Sequence, residues 1–233
     1  IAVLDSSGTV LNAKRFGSDV WDYCNAMLTT ESGDIYLTGS YYGRPFEVDG
    51  FSLSNYGFTQ LTSDAFLLKM NKNLEVQWLQ RAWGEFSEGG WALDMDKMGN
   101  IYWAGNYNSP QVTLGDITVT GNKANSYLAL VEPSGYVKWV QNFTADEVCY
   151  LRDLDSDENG NAWVTINFGQ IFDFAGQSLV GQGDWENATI QFNPEGQLVK
   201  YYHITGPEAE NVYQIQDLPD NSLLLVGVFY DDT

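Results

Sequence analysis

Imidazole is the usual base and metal ligand near neutral pH, and this chain carries one histidine, His203. A Ser/His/Asp triad, a Cys/His pair or a multi-histidine zinc site would each have to run through it. It stands in an extended run, Tyr201-Tyr202-His203-Ile204, at a spacing that recurs at Arg81 and Asn142. A structural place in a sheet follows more simply than a dedicated base. Carboxylates are plentiful, but no pair differs from its counterparts elsewhere in the chain as an acid/base pair for glycoside hydrolysis should. No glycine loop with a lysine is present to cradle phosphate. The sequence designates no catalytic residue and leans away from an enzyme.

A metal is suggested at one place. Asp155-Ser156-Asp157-Glu158-Asn159-Gly160 fits the opening half of a calcium loop, with oxygen side chains at alternate positions and a glycine at the bend. Asp153, Asp155, Asp157 and Asn159 are the candidate ligands, and Ca2+ is the one cofactor the chain suggests. The motif then fails, because its ninth position is Trp163 and its twelfth Ile166. The competing reading is an ordinary inter-strand turn, like those at Asp94–Asn100 and Glu31–Asp34.

Eight tryptophans allow a third chemistry, the stacking of sugar faces on indoles. Trp78, Trp103, Trp139 and Trp163 fall in strand patterns and are expected to pack between sheets. Trp21, Trp83, Trp91 and Trp185 are expected at turns or strand starts, which makes Trp83, Trp91 and Trp185 the candidate ligand-binding residues. The two cysteines, Cys24 and Cys149, sit at non-equivalent positions and imply no disulfide framework.

Charge narrows the partners. Eleven basic against 31 acidic residues give a formal charge of −20. Phosphate backbones need basic stripes, so nucleic acid is a poor partner, and an anionic membrane surface equally so. No apolar run is long enough to span a bilayer as a helix. The chain begins at Ile1 inside a strand pattern, which suggests a piece of a longer polypeptide or assembly.

What must position these residues is a repeat. Gly99-Asn100-Ile101-Tyr102-Trp103-Ala104-Gly105 is echoed at 33–39, 160–166 and 221–227. Each copy is a turn feeding a β-branched and aromatic strand, the second arm of a hairpin. A second landmark, the turn residues Asp5, Asn71, Glu132 and Asn193, keeps the same spacing of 66, 61 and 61. Between the two main hairpins of a unit lies a small one, such as Val112–Leu114 with Ile117–Val119. Extra residues around Asn55–Thr62 explain the longer first spacing. No stretch shows helical periodicity, so the expected class is all-β.

Units of four short strands cannot bury both faces alone and must stack on their copies. Radial stacking yields a β-propeller of four-stranded antiparallel blades, here about four blade equivalents. The units run about 1–65, 66–126, 127–187 and 188–233 of a single domain or propeller fragment. The chain opens on two outer strands and closes on two inner ones, which fits either a closed four-bladed ring or part of a larger wheel.

The runs WALDMDKMGNIYWAG (91–105) and SYLALVEPSGYVKWVQNF (126–143), with the aspartate-led strand Asp64–Lys69, resemble the SBBP-type bacterial β-propeller repeat. The chain departs from that pattern at Ile166, in place of a closing glycine, and at Lys200, where Trp78 and Trp139 stand in other units. The resemblance implies a secreted or cell-surface bacterial protein with no single catalytic activity. The expected function is an interaction or scaffold module that holds a protein or glycan through loops on one propeller face. The alternatives are a propeller enzyme acting on carbohydrate with carboxylate acid/base groups, or a quinone-dependent one, and a structural subunit of an envelope assembly.

Overall fold

The computed structural model describes residues 1–43, 45–57, 62–122, 124–220 and 222–230. They form antiparallel sheets, with no helix among the described residues. A short hairpin, β1 (Ala2–Leu4) and β2 (Val10–Ala13), opens the chain. The first four-stranded unit is β3 (Asp22–Thr29) and β4 (Ile35–Tyr41), then, past the small hairpin β5 (Phe46–Val48) and β6 (Phe51–Leu53), β7 (Asp64–Met70) and β8 (Val76–Gly84). The second repeats this with β9 (Glu88–Met95), β10 (Ile101–Tyr107), the hairpin β11 (Gln111–Leu114) and β12 (Ile117–Thr120), β13 (Ala124–Val131) and β14 (Val137–Ala145). The third has β15 (Cys149–Ser156), β16 (Ala162–Phe168), the hairpin β17 (Ile171–Phe174) and β18 (Gln177–Val180), β19 (Glu186–Phe192) and β20 (Leu198–Ile204). A final pair is β21 (Glu210–Asp217) and β22 (Leu223–Phe229).

The second and third small hairpins each join the outer edge of the preceding unit, on β8 and β14. The strand orders are therefore β3-β4-β7-β8-β11-β12 and β9-β10-β13-β14-β17-β18, followed by β15-β16-β19-β20. β1–β2, β5–β6 and β21–β22 form separate two-stranded sheets. The sheets pack face to face in chain order: β9 lies on β3, β4 and β7, β15 on β9, β10 and β13, and β21 on β15, β16 and β19. Middle strands are thus covered on both faces, which is why β4, β16 and β19 read as unbroken buried runs without alternation.

Apolar clusters fill the interfaces. Tyr36, Leu67, Trp103, Tyr127 and Val131 join the first sheet to the second. Leu128, Leu130, Val164, Phe168 and Ile190 join the second to the third. The indole of Trp103 donates to Thr38 Oγ1 at 2.8 Å across the first interface, so its one polar atom is satisfied. Among the described residues no sheet covers the outer face of β22, and Leu224, Val226, Val228 and Phe229 are half exposed.

The Val-x-Trp element ties one sheet to the next turn. In β8 and β14 the register shifts between Val and Trp, leaving Gln77 and Lys138 as bulge residues. The ring of Trp78 lies 5.9 Å from Tyr36 and that of Trp139 lies 6.1 Å from Tyr102. Each indole N–H then reaches a proline carbonyl of the following unit, Trp78 to Pro133 and Trp139 to Pro194, both at 3.0 Å. The accepting turns end in Gly135 and Gly196, at φ +91° and +79°, where a Cβ would touch the indole at 3.0 Å. Glycine is required there twice over, by backbone and by contact.

Candidate functional site

The first strands of the units carry a feature that the repeat alone did not reveal. Each has one residue more than its partner strand, and the register steps at the same place. It steps between Cys24 and Ala26, Gly90 and Ala92, Leu151 and Asp153, and Val212 and Gln214. The inserted residues are Asn25, Trp91, Arg152 and Tyr213, and all four are exposed. A bulge residue gives nothing to the ladder and is turned out of the regular alternation, a device common beside binding sites. Strand after strand, the fold presents a side chain at one level, and the four identities all differ.

Between the ends of β4, β9, β10 and β15 lies a cavity of about 400 Å³. Trp91, Tyr150, Arg152, Glu88, Ser40 and Asn108 are among its lining residues. Trp91 is 49% exposed, so a flat indole face is offered to solvent. The Arg152 guanidinium lies 5.1 Å from the Tyr150 ring centre and 5.7 Å from that of Tyr213. Behind Tyr150 stands Trp185, its ring 6.0 Å away and nearly parallel. Trp91 thus lines the cavity itself, while Trp185 backs the cavity's Tyr150. Trp83 does neither. It pairs with Thr113 of the small hairpin at the outer edge, beside Tyr56, with Arg81 over its ring at 4.8 Å. Trp83 and Trp91 both lie within strands, neither at a turn nor at a strand start as their sequence surroundings suggested.

Glu88 is the carboxyl of the cavity. It is 1% exposed, receives the Ser109 hydroxyl on Oε1 at 2.5 Å, and has no hydrogen-bond partner on Oε2 among the described residues. Burial, with the charge of Asp64 adding to it, pushes its pKa up to about 8. At neutral pH it therefore holds its proton. Cys149 stands at the equivalent place on β15, and burial pushes its thiol up to about 12, away from thiolate chemistry.

The other candidates serve the backbone. Asp157 Oδ1 accepts the amides of Asn159 and Asn161, while Oδ2 accepts the side-chain amides of Asn161 and Gln191. Asp96 does the same for Met98 and Asn100, so the turn reading describes what both loops share. Asp153 and Asp155 accept the amides of Ile215 and Asp217 from the next sheet, at 3.1 and 2.5 Å. Burial raises the pKa of both. Among the described residues no group of three or more His, Cys, Asp or Glu is arranged to hold a metal ion.

His203 lies 3.3 Å from Glu186, whose Oε1 accepts the amides of Gln182 and Gly183. Glu186 thereby staples the loop ahead of its own strand. Asp64 and Asn125, at the same place on β7 and β13, do likewise for Tyr56 and Asn122. Trp163 aligns with Tyr102 and not with Trp103, and Tyr202 stacks on it at 5.9 Å. No protein-family model and no curated protein sequence matches this chain.

Proposed function

We propose that the chain is an interaction module of β-propeller architecture, of the SBBP-like type its repeats resemble, which binds a saccharide at the bulge-bearing end of its first strands. Face-to-face stacking in chain order, with each first strand laid on the preceding sheet, supports the propeller arrangement. The separate sheets of β1–β2 and β21–β22 favour an open array over a closed four-bladed ring. The observation that carries the binding reading is the cavity, where an exposed indole, a tyrosine-flanked guanidinium and free polar side chains converge. Flat aromatic faces with a few hydrogen-bonding groups suit a hydroxyl-bearing ring. One carboxyl on the lining falls short of the pair that glycoside hydrolysis uses, which favours holding over cleaving. The acidity and the resemblance fit a secreted or cell-surface bacterial setting.

The test is a glycan array followed by calorimetry on the best hits. Trp91→Ala is expected to weaken binding about tenfold or more with the melting temperature little changed. An array with no hits, or hits untouched by that change, refutes the saccharide reading. The row of half-exposed apolar side chains on β22 favours a second reading, packing against a further sheet within an assembly.

A further inference from the structure

We infer that the cavity selects a sugar unit bearing a single carboxylate within an otherwise neutral glycan; this rests on the saccharide reading above. Arg152 is the reason. Four ion pairs occur among the described residues, and none includes it. Arg15, Lys72, Arg81, Lys138 and Lys200 share that lack, and what sets Arg152 apart is its place on the cavity lining between two tyrosine rings. The rings of Tyr150 and Tyr213 hold the group while leaving its N–H fork without a hydrogen-bond partner among the described residues. A planar fork fits a carboxylate through two parallel bonds.

The rest of the lining agrees. Glu88 is protonated at neutral pH, so the cavity sets no negative charge against an anionic ligand. The Trp91 face supplies the stacking surface, and Ser40 and Asn108 supply further polar contacts. The remainder of the molecule limits the ligand. A net charge of −20 repels a dense polyanion, whereas one carboxylate seated on Arg152 lies within the local field, because charges beyond about 8 Å are screened at physiological salt. Uronic-acid and sialic-acid units share this chemistry.

The experiment measures affinity for matched pairs: 3′-sialyllactose against lactose, and a glucuronic-acid-bearing xylo-oligosaccharide against the neutral xylo-oligosaccharide, with polygalacturonate as the dense polyanion. The wild-type chain is expected to bind the acidic member of at least one pair about tenfold more tightly than the neutral one. Which pair responds distinguishes the two acid types. Arg152→Gln is expected to bring the acidic member down to the neutral level, Arg152→Lys to retain part of the difference, and Trp91→Ala to weaken both members. Equal binding of acidic and neutral members, unchanged by Arg152→Gln, overturns the acid selection and leaves the saccharide reading standing. No binding of any sugar overturns both. Tightest binding to polygalacturonate overturns the single-carboxylate claim. Since Arg152 is exposed and outside the ladder, thermal melting checks that its variants fold.

Discussion

The carboxyl of Glu88 is shut from water near the charge of Asp64, and in the folded chain its proton survives to about pH 8. In the unfolded chain a glutamate loses it near 4.5. Between these values the folded state holds a proton that the unfolded state has released, so stability falls as pH rises. The contribution is complete below pH 4.5 and gone above about 8. Glu88→Gln is expected to flatten the urea-midpoint profile between pH 6 and 9. It should be the more stable form at pH 9 by up to a few kcal/mol. Parallel profiles for the two proteins would show that the buried carboxyl does not titrate in this range. Asp157 gives a second residue-scale expectation. Its carboxylate serves two backbone amides and two side-chain amides, so Asp157→Ala should cost on the order of 1–3 kcal/mol in chemical denaturation.

At the scale of the element, the tryptophan clamp separates two contributions. Trp139→Phe keeps a ring near Tyr102 and removes only the bond to Pro194, a loss of about 1 kcal/mol. Trp139→Ala also opens a void at the sheet boundary and is expected to cost about 3–5 kcal/mol. Gly196→Ala, which changes the accepting turn, should cost about 1–3 kcal/mol through its left-handed φ and the contact with the indole. If all three variants melt together with wild type, the clamp carries no stability. The sequence made much of this element legible. Val-x-Trp, the turn glycines and the aspartate-led strand are local words, and recurring spacing exposes local words. What it hid was the partner. Trp78 and Pro133, or Asp64 and the amide of Tyr56, meet only once strands are laid side by side. The bulges left a faint trace in the three-residue steps Leu151 to Leu154 and Val212 to Ile215, where strict alternation slips by one. Reading that slip would have singled out Arg152 and Tyr213, which carry no motif.

For the molecule as a whole, contacts run between neighbouring sheets, so stability should resemble a sum over units and their interfaces. Strands covered on both sides, β10, β13 and β16, are expected to hold their amide hydrogens longest, and β2 and β22 to exchange first. Hydrogen exchange read by mass spectrometry checks the gradient; uniform protection would mean that the array opens as one body.

The inserted residue at 25, 91, 152 and 213 matters beyond the saccharide proposed above. Because the residues before and after it keep their ladder partners, the side chain at 91, 152 or 213 can be exchanged at little cost to folding, whereas Asn25 donates to the Gly90 carbonyl at 2.8 Å and ties two sheets together. Recognition in such a protein is free to drift, one strand at a time, while the architecture beneath it stays still. A small library varied at 91, 152 and 213 alone should yield folded proteins of altered preference.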